Sequence, residues 1–123
     1  MTDDDRLSGL RVLLVEDEAL VAMYVEDLLE DAGCEIVGPA PRLDAALSAI
    51  ATDPMDLAIL DVNLKGEQVW PAADALKARG VPYVFLTGYA ADTVPGAHAG
   101  VTRLTKPLRP SDLFSTLYAV TGR

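Results

Sequence analysis

Several kinds of residue are scarce in this sequence, and each shortage excludes something. A single cysteine, Cys34, cannot close an internal disulfide or build a cysteine metal cluster, which fits a reducing, cytoplasmic setting. Cys34 is expected to be a small buried hydrophobe. The single histidine, His98, sits among small residues and reads as a surface residue. No apolar run approaches the roughly 20 residues needed to cross a bilayer. The first ten residues are acidic and lack the cationic-then-apolar order of an export signal. Bases are few: ten Lys and Arg stand against nineteen Asp and Glu, a net charge of −9. The excess lies early, with eleven acids and two bases among residues 1–35 and eight of each after them. Such an acidic surface repels nucleic acid and anionic membranes, so neither is expected as a partner.

Half of the 123 residues are hydrophobic and about a quarter charged, the balance of one ordinary globular domain over 1–123. Residues 1–8, polar from Thr2 to Ser8, read as a disordered tail. The organising stretch is Leu57-Ala58-Ile59-Leu60-Asp61, four apolar residues without alternation that end on one carboxylate. A run of this kind suits a strand buried on both faces of a parallel sheet, where an acid is tolerated only at the end. Arg11 to Val15 is a second such run, ending on Glu16-Asp17-Glu18. Cys34 to Gly38 reads as a short strand closed by Gly38-Pro39. Tyr83 to Leu86 leads into Thr87-Gly88, and Val101 to Thr105 into Lys106-Pro107.

Helices are expected between them. The first carries Val21, Val25, Leu28 and Ala32 inward and stops at Gly33; the second carries Leu43, Ala46, Leu47 and Ile50 and stops at Asp53-Pro54. The third runs from the loop Asn63 to Gly66 to about Arg79, with Ala73, Leu76 and Trp70 on one side. Trp70 either packs inward or stands exposed as a contact residue. A last helix follows Pro110, with Leu113, Leu117 and Val120 inward beside Phe114 and Tyr118. Between Ala90 and Gly100, Pro95-Gly96 leaves room for one short helix or a mobile loop. Strands alternating five times with helices point to an α/β fold: a five-stranded, doubly wound parallel sheet of flavodoxin-like order 2-1-3-4-5.

Right-handed crossovers bring the strand ends to one edge of such a sheet. The first and third strands are then neighbours, and Glu16, Asp17 and Asp61 meet. Clustered carboxylates repel unless a cation joins them, and an all-oxygen set suits Mg²⁺. Thr87 and Lys106 flank Asp61 from the other side with a hydroxyl and a positive charge. Together these groups suit transfer of a phosphoryl group to Asp61, with metal and cations neutralising its oxygens. Singly, each has a duller account: Asp61 opens a loop, Glu16 and Asp17 favour a helix start, Thr87 is a turn hydroxyl and Lys106 a solvated end.

The stretches Val15-Glu16-Asp17-Glu18, Leu60-Asp61-Val62-Asn63-Leu64, Leu86-Thr87 and Thr105-Lys106-Pro107 resemble the receiver domain of bacterial two-component response regulators over nearly the whole chain. The resemblance implies that Asp61 accepts phosphate from the phosphohistidine of a sensor histidine kinase. It also implies that Asp17 binds Mg²⁺ directly, that Glu16 acts through water, and that the Asn63 backbone carbonyl completes the metal site. Thr87 would turn toward the phosphoryl group and Lys106 pair with it. Pro82 to Tyr89 is similar to a stand-alone alphaproteobacterial subgroup with a Phe-x-Thr-Gly-x-Tyr signature, whose members often work beside kinases of the HWE type. Here the aromatic, Tyr89, follows Gly88 directly.

Leu104 occupies the position, two before the lysine, where most receivers carry an aromatic switch. Tyr89 is expected to take part of that role, moving with Thr87 and shielding the phosphate from water; the alternative is a fixed surface aromatic. Only Thr121-Gly122-Arg123 follow the last helix, so the expectation is signalling through another, unnamed protein rather than through an attached output domain. Two rivals remain: a phosphate sink draining a kinase that serves another regulator, and a flavodoxin-like ligand binder. The second is disfavoured by acids standing after the first strand, where a phosphate loop needs free amides.

Overall fold

The computed structural model describes residues 6–88 and 94–122. Along them run β1 (Arg11–Val15), α1 (Ala19–Asp31), β2 (Glu35–Ala40), α2 (Leu43–Thr52), β3 (Leu57–Asp61), β4 (Asn63–Leu64), β5 (Glu67–Gln68), α3 (Trp70–Arg79), β6 (Tyr83–Thr87), β7 (Arg103–Thr105) and α4 (Pro110–Thr121). A short 3₁₀ turn, Gly96–His98, precedes β7. The main sheet is wholly parallel, in the order β2-β1-β3-β6-β7. Counting its strands along the chain, this is 2-1-3-4-5, with β3 at the centre and every residue of β3 buried.

Alternate residues of the central strands feed two cores. Val12, Leu14, Leu57, Ile59, Val84 and Leu86 face α1 and α4. Leu13, Val15, Ala58, Leu60 and Phe85 face α2 and α3. Burial on both faces explains why the strand sequences are apolar without alternation. Each buried leucine or valine contributes about 1.5–3 kcal/mol, so β3 is held far too firmly to shift register. At its start Asp56 ties β3 to β1, accepting the Arg11 amide at 2.9 Å while its own amide donates to the Arg11 carbonyl at 2.8 Å.

Several local expectations are corrected. Residues 6–9 form a turn in which Leu7 is buried, and the Arg6 guanidinium lies 3.9 Å from the Tyr118 ring centroid. Residues 6–8 of the expected tail are therefore packed against the domain, and residues 1–5 lie outside the described residues. The most buried face of α1 is Ala22, Val25 and Leu29, with Val21, Leu28 and Ala32 on its flanks, in one core with Val12 and Leu14 of β1 and Leu113 and Leu117 of α4. Asn63 to Gln68 is not an open loop: β4 and β5 pair as a small antiparallel hairpin over Lys65-Gly66, whose φ values of 51° and 90° suit the primed turns of tight hairpins. Cys34 is buried as expected, its thiol 3.6 Å from the Leu7 carbonyl.

β2 does not close at Gly38-Pro39 but continues to Ala40. As an edge strand it tolerates a proline. Its register slips by one residue, Leu13 pairing with Val37 but Val15 with Ala40, and Gly38 absorbs the slip at φ 92°. The bulge delivers the Ala40 carbonyl to the Glu16 amide at 3.1 Å and so holds the chain as it leaves β1. A Cβ on Gly38 would meet the Ala40 nitrogen at 2.7 Å and the Leu14 oxygen at 3.3 Å, whereas one on Gly66 would meet open space. Gly38→Ala, which adds a backbone clash to a positive φ, is therefore expected to cost about 3 kcal/mol in urea unfolding, and Gly66→Ala, with only its positive φ to strain, about 1 kcal/mol. Equal losses at the two positions would show that the bulge relaxes.

Candidate functional site: an acidic pocket at the carboxyl edge of the sheet

A strand buried on both faces regains polar surroundings only where it ends. The sheet order makes those ends neighbours, so side chains from distant parts of the chain converge. Glu16, Asp17 and Glu18 follow β1, Asp61 ends β3, Thr87 ends β6 and Lys106 follows β7. A pocket of about 420 Å³ is lined by Asp17, Glu18, Asp61, Asn63, Lys65, Gly88 and Lys106.

Lys106 Nζ stands at the centre of the charges, 3.1 Å from Glu16 Oε2, 2.9 Å from Glu18 Oε1 and 3.2 Å from Asp61 Oδ2. Burial works against its charge, but the hydrogen bonds to Glu18 and Glu16 and the field of Asp61 outweigh it and raise the lysine above its ordinary value. Asp61 Oδ1 accepts the Asn63 amide at 3.2 Å, and Asn63 Oδ1 accepts the Gly66 amide at 2.9 Å, so the hairpin is pinned to the aspartate. The Thr87 carbonyl accepts the Lys106 amide at 2.8 Å, joining the ends of β6 and β7.

The acids lack enough positive charge. Burial first, then the hydrogen bond and charge of Asp61, push Glu16 up to about 8. Burial also raises Asp61, against the lowering pull of Glu16, the Asn63 amide and Lys106. Glu16 Oε2 is buried with no hydrogen bond of good geometry. Glu16, Asp17, Glu18 and Asp61 each offer an oxygen, all within 4.8 Å of one another. A buried carboxylate oxygen whose close contact is the Lys106 ammonium, in a hard, all-oxygen donor set, fits a divalent metal ion. The arrangement can also present one aspartate as a nucleophile while a cation steadies charge beside it.

All the residues expected at the site that fall within the described chain, Glu16, Asp17, Asp61, Asn63, Thr87 and Lys106, come to this edge. Tyr89, with the rest of residues 89–93, lies outside the described residues. The expectation missed three lining residues, Glu18, Lys65 and Gly88. Glu18 was visible as the third acid of its run, and Lys65 carried no signal, since the hairpin that brings it to the pocket was not foreseen. His98 is corrected outright: it is 2% exposed, not a surface residue. Its Nε2 lies 2.8 Å from Asp74 Oδ1 and its Nδ1 2.6 Å from the Tyr83 hydroxyl, with Trp70 stacked on the ring at 6.2 Å. A carboxylate only accepts, so Nε2 donates to Asp74, while Nδ1 and the Tyr83 hydroxyl share the second hydrogen bond. Half-buried Trp70 also meets Phe85 edge-on at 5.4 Å, which supports the packed reading.

A family model described as the response regulator receiver domain matches residues 12–118. The transcriptional regulatory protein PdtaR of Mycobacterium tuberculosis is 32% identical over 99% of this chain, which spans 62% of PdtaR. The phyllosphere-induced regulator PhyR of Methylorubrum extorquens is 31% identical over 86% of this chain, and the match spans 41% of PhyR. Among solved structures, SdrG from Sphingomonas melonis Fr1 superposes with a TM-score of 0.82 at 39% identity, covering 91% of this chain and 96% of SdrG. A BeF3-activated conformation of SdrG gives 0.78 at the same identity, covering 93% and 98%. Among the described residues no helix is long and apolar enough to cross a membrane.

The acid pair implies a pH dependence. An unfolded glutamate titrates near 4.5 and Glu16 in the fold near 8, so between these values the folded protein binds more protons. Stability of the metal-free protein is then full below about 4.5 and falls as pH rises through 8, by up to about 1.4 kcal/mol per pH unit. Urea midpoints in EDTA are expected to drop from pH 5 to pH 8, and Glu16→Gln to flatten the drop. A slope unchanged in that variant would mean that Glu16 is not the group responsible.

Proposed function

We infer the activity of this chain from its family, for it belongs to the response regulator receiver domains: it accepts a phosphoryl group on Asp61 and signals through protein contacts. It is a phosphoacceptor signalling domain rather than a conventional enzyme. The observation that carries this reading is Asp61 at the end of the central strand, 3.2 Å from Lys106 Nζ within the acidic pocket. A carboxylate placed there is anchored by a rigid strand, yet its outer face opens on the pocket.

The phosphodonor is the phosphohistidine of a sensor histidine kinase, of the HWE type by the resemblance of Pro82 to Tyr89. An Asp61 carboxylate oxygen forms the new bond to phosphorus while the phosphorus–nitrogen bond breaks, and the imidazole nitrogen keeps that electron pair. Mg²⁺, held by Asp17, Asp61 and the Asn63 backbone carbonyl with Glu16 acting through water, would neutralise charge on the transferring oxygens. Lys106 exchanges its contact with Asp61 for a phosphoryl oxygen, and the Thr87 hydroxyl donates to another.

A protein phosphodonor needs a seat beside Asp61. Leu20, Met23 and Tyr24 on α1 are exposed, Leu20 by 81%, and Leu20 and Tyr24 line a groove with Lys106, Pro107 and Leu108. Tyr24 ties the two segments, its hydroxyl donating to the Leu108 carbonyl at 3.1 Å. Apolar surface of this kind suits the helix of a partner protein. The chain is cytoplasmic, and a downstream protein reads its phosphorylated state; Tyr89 moves with Thr87 as part of the switch.

Acetyl phosphate with Mg²⁺ is expected to add one phosphoryl mass to the natural chain and none to Asp61→Asn, and hydroxylamine to remove the adduct. Adduct retained in Asp61→Asn would overturn the assignment. Tyr89→Ala is expected to change the half-life of the aspartyl phosphate, because an aromatic two residues after Thr87 governs the access of water. An unchanged half-life would take Tyr89 out of the site.

A further inference from the structure

Glu18 is the acid that phosphoryl transfer to Asp61 leaves without a task. It starts α1 through its backbone, its carbonyl accepting the Ala22 amide at 2.9 Å, but its side chain makes no capping hydrogen bond. A side chain at this position ordinarily satisfies one of the free amides of the first turn. Here the carboxylate reaches instead across the pocket to Lys106 Nζ at 2.9 Å, closer than Glu16 or Asp61. The Glu18 amide in turn donates to Glu16 Oε1 at 3.0 Å, which ties its backbone to the buried acid.

The three acids around Lys106 differ in place. The side chains of Glu16 and Asp61 are 0% and 6% exposed, and that of Glu18 is 61% exposed at the rim. An ammonium has three N–H donors, and three carboxylates face this one. A divalent cation held by Asp17 and Asp61, with Glu16 reached through water, needs the acceptor oxygens of Asp61 and Glu16 that Lys106 now contacts. Competition for those oxygens and repulsion between like charges both drive the ammonium outward, and the acid on its outward side is Glu18.

We propose that Glu18 is a positioning residue acting through Lys106: it is the seat to which the ammonium withdraws when a divalent cation binds Asp61 and draws on Glu16 through water. It thereby eases entry of the cation and keeps the lysine beside Asp61 for an arriving phosphoryl group. This rests on the phosphoacceptor reading above. Without Glu18, Lys106 has no rim partner, stays on the buried acids and competes with the metal.

The test is a double-mutant cycle read by Mg²⁺ titration calorimetry of the natural chain, Glu18→Gln, Lys106→Ala and the double variant. With Lys106 present, Glu18→Gln is expected to weaken Mg²⁺ binding about fivefold. With Lys106→Ala the same change is expected to weaken it less than about twofold, the screened effect of a removed charge alone. The Lys106 Nζ resonance of the metal-free protein is expected to exchange faster with water in Glu18→Gln. Equal factors in both backgrounds would overturn the proposal, since Glu18 would then act on the ion directly, and no loss in either would also overturn it. Both results leave the phosphoacceptor reading standing, whereas a natural chain that binds no Mg²⁺ would remove that reading and this one together.

Discussion

The ammonium of Lys106 between Glu16 and Asp61 is the contact on which the carboxyl edge of this fold depends. Two buried carboxylates side by side are costly, and one positive charge between them only partly offsets the cost. The residual imbalance appears as the raised titration of Glu16, shared in direction by Asp61. A site left short of positive charge is a site ready to take some, as a metal ion and as cations around a transferred phosphoryl group. The electrostatic cost in the metal-free state and the capacity to bind are thus the same property.

Keeping those charges at fixed distance is the work of the sheet. β3 is buried on both faces, and β1 is locked to it at one end by Asp56 and to β2 at the other by the Gly38 bulge. Lys106 is reached from the opposite side, through the hydrogen bond that joins the ends of β6 and β7. The site therefore sits on rigid elements, while its outer wall is built from the exposed Lys65-Gly66 hairpin and the rim acid Glu18.

The same sheet carries a second polar assembly on the α3 side. His98 anchors the 3₁₀ turn by joining Tyr83 of β6 to Asp74 of α3 beneath the Trp70 ring. The far end of the connection that leaves the site at Thr87 and Gly88 is thus pinned to the sheet and to α3.

The alternation of apolar runs and helical patterns, the strand order and the convergence of Glu16, Asp17, Asp61, Thr87 and Lys106 were legible in the sequence. Each rests on local signals: a run without polar residues has to be buried on both faces, and the place where it stops has to be an edge. What the tertiary structure decided are contacts between segments with no local mark. The burial of His98 depends on Asp74 and Tyr83 arriving from two other elements, and nothing near residue 98 announces them. The continuation of β2 through Pro39 depends on β2 being an edge strand, where a missing amide costs nothing. The turn of Glu18 from capping its own helix to holding Lys106 depends on a charge placed 88 residues away. Local pattern reports what a segment must bury, but only the packed chain determines which distant group satisfies a polar atom.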